Sequence, residues 1–116
     1  MNDLLRPAMY DAWHAIMPVA EPAADASHVA YDFVGPVCET GDIFARDRES
    51  VVLQAGDLVA LRSAGAYGAT MASTYNSRAL APEVLVRGDS HAVIRRRVAP
   101  REMMALDDFA PWLDGG

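Results

Sequence analysis

The stretch "PEVLVRGDSHAVIRRRV", residues 82–98, carries the clearest structural signal in the chain. Apolar and β-branched residues run on both sides of Arg87-Gly88-Asp89-Ser90, a tetrapeptide suited to a tight turn. That pattern predicts a β-hairpin. The Arg87-Gly88-Asp89 triplet is therefore read as a turn, with no adhesive role. The same kind of signal recurs upstream. "VVLQAGDLVALRSAG" (51–65) predicts a strand, a turn at Ala55-Gly56-Asp57 and a second strand from Leu58 to Arg62. "HVAYDFVGPVC" (28–38) predicts a strand that kinks at Gly35-Pro36. "YDAWHAIM" (10–17) is short and stops at Pro18, so a strand is favoured there over a helix.

The remaining pieces are less regular. Residues 2–7 read as a turn or a single helical turn, capped by Asn2 or Asp3 and stopped near Pro7. Residues 20–27 form a small-residue loop. "TGDIFARDRE" (40–49) reads as a polar connection with a short strand or turn around Ile43-Phe44. Residues 65–78 are small and polar with two tyrosines, a composition that packing alone does not require. "REMMALDDFAPWL" (101–113) comes after Pro100 and places Met103, Met104 and Leu106 at helical spacing. It predicts a short C-terminal helix whose methionines fill core. No internal repeat is present. The sum is a mainly β chain, a Greek-key-like β-barrel or sandwich ending in a short helix.

The chain has 116 residues, enough for one domain spanning 1–116. No apolar run approaches the roughly 20 residues that cross a bilayer. The N-terminal residues "MNDLLRPAMYDAW" lack the basic and apolar regions of a secretory signal. One cysteine leaves no internal disulfide, which fits a reducing, cytoplasmic setting. The net charge of -6 argues against nucleic acid and anionic membranes as partners. The one basic cluster, Arg95-Arg96-Arg97, is read as a solvated strand edge. His14, His28 and His91 have no ligand-like spacing, and Cys38 has no second thiol beside it, so no metal site is expected. All ten cationic side chains are arginine, and lysine is absent.

Three places could carry chemistry. "GPVCETGD" (35–42) sets Cys38 behind a rigid turn and directly before Glu39. A neighbouring carboxylate disfavours a second negative charge there, which suits a thiol that donates a proton rather than attacks. Read alone, the stretch favours the other reading, a small buried hydrophobe, which is the usual fate of a free cysteine. Arg6 and Tyr10 are four residues apart; a guanidinium grips a carboxylate in bidentate fashion, and a phenol adds a donor. A surface arginine near a core tyrosine fits the same spacing. Tyr67 in "AGAYGAT" is flanked by small residues that admit a flat ligand, or it is a packing aromatic.

Taken together, "NDLLRPAMYDAWH" (2–14), "GPVCETGD" (35–42), "AGAYGATMASTYNSR" (64–78) and "PEVLV" (82–86) resemble, in order and spacing, the C-terminal part of the diaminopimelate decarboxylases. These belong to the fold-type III decarboxylases that use pyridoxal phosphate. The resemblance covers residues 2–108. "CETGD" is closer to this family than to the ornithine decarboxylases, which usually carry aspartate after the cysteine.

The resemblance implies a division of labour. A (β/α)8 barrel holds the cofactor on a lysine, and a C-terminal β-domain completes the site. Subunits pair head to tail, so each site is shared within a homodimer. Arg6 and Tyr10 then bind the distal carboxylate end of the substrate, and Glu39 its distal amino group. Cys38 acts as general acid, and Tyr67 lies beside cofactor and substrate. The implied reaction converts meso-diaminopimelate to L-lysine and carbon dioxide. The barrel's lysine, phosphate site and acidic partner of the pyridine nitrogen have no counterpart among these residues. The chain is thus expected to be a C-terminal domain or fragment, inactive alone, with an unpaired sheet edge that invites self-association. Two other readings are a domain of an ornithine or polyamine-precursor decarboxylase and a non-catalytic β-domain that binds or dimerises.

Overall fold

A computed structural model describes residues 3–113. The chain divides into two compact units, residues 1–72 and 73–116. The first contains helix α1 (Pro7–Tyr10), strands β1 (Ile16–Pro18), β2 (His28–Val34), β3 (Ile43–Val51) and β4 (Val59–Leu61), and helix α2 (Gly65–Met71). The second contains strands β5 (Glu83–Arg87) and β6 (Ser90–Arg95) and helix α3 (Pro100–Met104), with single 3-10 turns at Tyr75–Ser77 and Pro111–Leu113. The mainly β class with a short C-terminal helix matches the sequence. Among the described residues the ladders are three antiparallel pairs, β1–β4, β2–β3 and β5–β6, and they trace no closed barrel.

The β2–β3 ladder frames the region of interest. It runs from His28 opposite Val51 to Val34 opposite Ile43. Two register shifts, between Tyr31 and Phe33 and between Phe33 and Val34, each give β3 one extra residue. At the first, Asp47 takes a left-handed φ of 47°. Its N–H, turned out of the ladder, donates to Asp32 Oδ1 at 2.8 Å. Bulges of this kind bend a strand and change the direction in which its end points. Here they lie just before the turn that joins the two strands.

Several sequence expectations are corrected. Residues 40–49, read as a polar connection, supply most of the nine-residue β3. The "RDRE" run is compatible with a strand because Arg46, Asp47 and Glu49 face solvent. The preference for a strand over 10–17 fails at its start, since Tyr10 closes α1 and only Ile16–Pro18 are extended. Asp11 ends that helix in a left-handed conformation, its N–H donating to the Pro7 carbonyl. Pro7 starts α1 rather than stopping the preceding turn, because a proline at the first helical position forfeits no hydrogen bond. The N-cap is Arg6, whose side chain does not cap the helix; Asp3 lies in a turn, and Asn2 falls outside the described residues. The turn at Gly56 and the second strand over 51–65 are as expected, but the first strand ends at Val51 as the end of β3, and β4 pairs with β1. Residues 65–71 form a helix.

In the second unit the hairpin is as expected, with Arg87 opposite Ser90 and Gly88 at φ +56° opening a two-residue turn. The arginine cluster is more than a solvated edge. Arg95 pairs with Glu83 across the ladder, and Arg96 with Glu102 at 2.6 Å. Met104 is exposed rather than core.

Among the described residues the buried apolar ones are few: Leu5, Pro7, Val37 and Ala45. Three polar residues, Asp3, Asp42 and Ser50, are buried as well. A carboxylate is rarely buried without a hydrogen-bonding task, and Asp42 has one.

Candidate active site

The turn between β2 and β3 is closed by its own two ends. The Gly35 N–H donates to the Asp42 carbonyl at 2.8 Å. The Asp42 carboxylate turns inward, only 2% exposed, and its Oδ2 accepts the Val37 N–H at 2.7 Å. Between these anchors the Glu39 N–H donates to the Val37 carbonyl at 2.8 Å, and the Asp42 N–H to the Glu39 carbonyl at 3.0 Å. Val37 and Asp42 point in; Cys38, Glu39 and Thr40 point out. Cys38 is a free, exposed thiol, so the buried-hydrophobe reading does not hold. The Glu39 carboxylate accepts the Gly41 N–H at 3.0 Å, which folds it back over its own loop.

Gly35 is required by this closure. A Cβ built on it would overlap the Asp42 carboxylate. Sequence reasoning sets Cys38 behind the rigid turn at Gly35-Pro36 but does not identify Asp42 as site-forming. The available signal for Asp42 is its position, opposite Gly35 at the far end of the short turn that carries Cys38 and Glu39.

The second group is aromatic. Tyr10, at the end of α1, stacks on Tyr67 of α2 with 6.3 Å between ring centroids and 19° between planes. Both rings are largely exposed, at 63% and 64%, so neither is a core aromatic. Gly65 and Gly68 flank Tyr67 on α2 with open space where a Cβ would stand. Arg6 caps the other end of α1, half-buried. Thus α1 holds Arg6 and Tyr10 one helical turn apart, and the stack joins Tyr10 to Tyr67. Cys38 and Glu39 sit apart on the β2–β3 turn, and Glu39 spends its hydrogen bond within that turn.

Helix α1 packs against β3, and this joins the two groups within one unit. The Arg48 guanidinium of β3 lies 4.6 Å from the Trp13 ring centroid and donates to the His14 carbonyl at 2.9 Å. His14 Nδ1 donates in turn to the Arg62 carbonyl at 3.1 Å, tying β3 to the segment after β4. These ties lie beside an open cleft of about 350 Å³, lined by Asp11, Trp13, Thr40, Phe44 and Arg46 among others. Among the described residues no group of three histidines, cysteines or acids is placed to hold a metal ion. No helix of the described residues is long and apolar enough to cross a membrane.

Comparison with known proteins shows the family. The family model for the C-terminal sheet domain of pyridoxal-dependent decarboxylases matches residues 1–65, which include Arg6, Tyr10, Cys38 and Glu39. A diaminopimelate decarboxylase of Zymomonas mobilis is 53% identical over 113 residues, 97% of this chain and 26% of that protein. One of Pseudomonas aeruginosa is 50% identical over 111 residues, 96% of this chain and 26% of that protein. The crystal structure of an M. jannaschii diaminopimelate decarboxylase in complex with L-lysine superposes with a TM-score of 0.85 at 36% identity, covering 97% of this chain and 25% of that one. The chain therefore spans about a quarter of the length of the curated relatives it matches. With the family model covering more than half of it, the chain belongs to the C-terminal sheet domain family of the pyridoxal-dependent decarboxylases.

Proposed function

We propose that this chain is the substrate-site domain of a diaminopimelate decarboxylase, one functional domain over residues 1–116 that works with a cofactor-bearing barrel in a cytoplasmic homodimer. The observation that carries the reading is the outward presentation of Cys38 and Glu39 from a turn whose flanking Val37 and Asp42 are buried. A packing role would turn the thiol inward. A role in chemistry between two bodies requires it to project.

The residues present fit one wall of a pyridoxal phosphate site. The exposed Tyr10–Tyr67 stack and the unobstructed glycines of α2 offer a flat face to a planar ring. The chain contains no lysine, so the amine that holds the aldehyde is supplied from outside these residues. When bound, the cofactor supplies an electron sink for the carbanion left by loss of carbon dioxide. This chain's residues then do three things. The Arg6 guanidinium and Tyr10 hydroxyl bind the distal carboxylate of the substrate, a bidentate acceptor matched to arginine's planar fork. The Glu39 carboxylate leaves the Gly41 N–H and pairs with the distal ammonium. The Cys38 Sγ holds a proton and delivers it to one face of the carbon that lost carbon dioxide.

A substrate panel on the two-domain holoenzyme tests the assignment. The expected result is decarboxylation of meso-diaminopimelate with a kcat/KM at least about 100-fold above that for ornithine, because an arginine left without its carboxylate partner costs a few kcal/mol. Comparable kcat/KM values for the two would remove the role given to Arg6 and Tyr10.

A further inference from the structure

The Cys38–Glu39 pair is exposed and sits on a turn rather than in a strand or helix, so something must fix its direction. A proton donor displaced by about 1 Å can lose much of its effect. Backbone bonds alone would leave such a turn adjustable. Here a buried side chain does the holding. We infer that Asp42 is a positioning residue: by accepting the Val37 N–H on its carboxylate while its carbonyl receives the Gly35 N–H, it sets the angle at which Cys38 leaves the turn.

Four observations converge on this. Asp42 is buried more deeply than Leu5 of the core, at 2% against 4% exposure, and its Oδ2 meets the N–H of the residue directly before Cys38 at 2.7 Å, a short bond of the charge-assisted type. The same residue closes the turn through its carbonyl, so its two grips act on Gly35 and Val37, two positions apart. Gly35 has room for a hydrogen only, because the carboxylate fills the space a Cβ needs. Finally, the bulge between Phe33 and Val34 places the mouth of the turn immediately beside this clasp. A rotation of the Val37 peptide would swing the Cys38 Cα–Cβ direction with it, and the bond to Asp42 blocks that rotation. The role is mechanical: Asp42 acts through Val37.

This inference rests on the reading of Cys38 as proton donor, and the test separates the two. Holoenzymes carrying Asp42→Ala, Asp42→Asn and Cys38→Ala are compared with the parent. Reaction in D2O with meso-diaminopimelate gives the configuration of deuterium at the carbon that lost carbon dioxide. Hydrogen exchange of the peptide spanning residues 33–43 reports the Val37 N–H independently of turnover. Asp42→Ala is expected to lower kcat about 10-fold or more with KM within about 3-fold, to scramble the deuterium and to speed exchange of that peptide at least about 10-fold. Asp42→Asn keeps an acceptor oxygen for Val37 and is expected to restore single-face labelling and slow exchange. Should Asp42→Ala fail to fold, Asp42→Ser, too short to reach Val37, is read in the same way. Parent-like kcat and single-face labelling in Asp42→Ala, or an Asp42→Asn enzyme as impaired as Asp42→Ala, overturns the positioning role. Normal labelling in Cys38→Ala overturns the donor reading instead.

Discussion

Tyr10 and Tyr67 stack face to face although 57 positions separate them, their centroids 6.3 Å apart and their planes inclined by 19°. One ring comes from a four-residue helix and the other from a glycine-rich one. Neither helix is long enough to be stable by itself. The stack is thus a tertiary contact that makes one aromatic surface from two marginal elements.

Tyr67→Ala should act on binding more than on folding. An aromatic pair contributes about 0.5–1.5 kcal/mol, and with both rings mostly exposed the lower end applies. A Tyr10/Tyr67 double-mutant cycle by urea unfolding is expected to give a coupling of about 0.5 kcal/mol. In the holoenzyme Tyr67→Ala should raise KM several-fold, while Tyr67→Phe stays close to the parent. Equal impairment in both variants would shift the role from the ring to the hydroxyl.

Gly35→Ala should destabilise the first unit. The added methyl must displace the buried Asp42 carboxylate, and overpacking of that kind costs about 1–3 kcal/mol. Urea unfolding followed by circular dichroism should show a lower midpoint with an unchanged m-value. A midpoint equal to the parent's would mean that the carboxylate does not occupy the turn.

Glu102 makes α3 sensitive to acid. Its carboxylate accepts the Ala99 N–H at 2.8 Å and pairs with Arg96. The bond from the Ala99 backbone, and then the Arg96 partner, hold its pKa below the usual carboxylate value. Ala99 has no side-chain acceptor, so the reciprocal half of a capping box is missing and Glu102 caps the helix alone. A lowered folded-state pKa means that the contribution is fully present above the unfolded value of about 4.3 and fades as pH falls through the folded value. Glu102→Gln should therefore lower the melting temperature at pH 7, by a deficit that shrinks as the pH falls below about 4.3. A deficit that persists undiminished at pH 3 would contradict this.

The candidate site residues are more legible in the sequence than the fold around them. Cys38, Glu39, Tyr10 and Tyr67 stand in stretches that keep a common register, and all four are exposed. The β5–β6 hairpin is legible because its turn requires glycine at Gly88. Strand β3 is not, because charges on its solvent face and two bulges break the alternation that marks a strand. Helix α2 is hidden for a different reason: "GAYGATM" has two glycines and no capping side chain, so little in its local preference favours a helix. Asp42 gives no local signal because the role proposed for it depends on burial, and burial of a carboxylate is set by the turn that closes around it.

The central claim is that Cys38 donates the proton. The most direct measurement is the turnover number of the Cys38→Ala holoenzyme with meso-diaminopimelate, taken with cofactor content by absorbance. The predicted result is a kcat lower by about 100-fold to 10,000-fold, the range for loss of a positioned acid, with cofactor content unchanged. A kcat within a few-fold of the parent would contradict it.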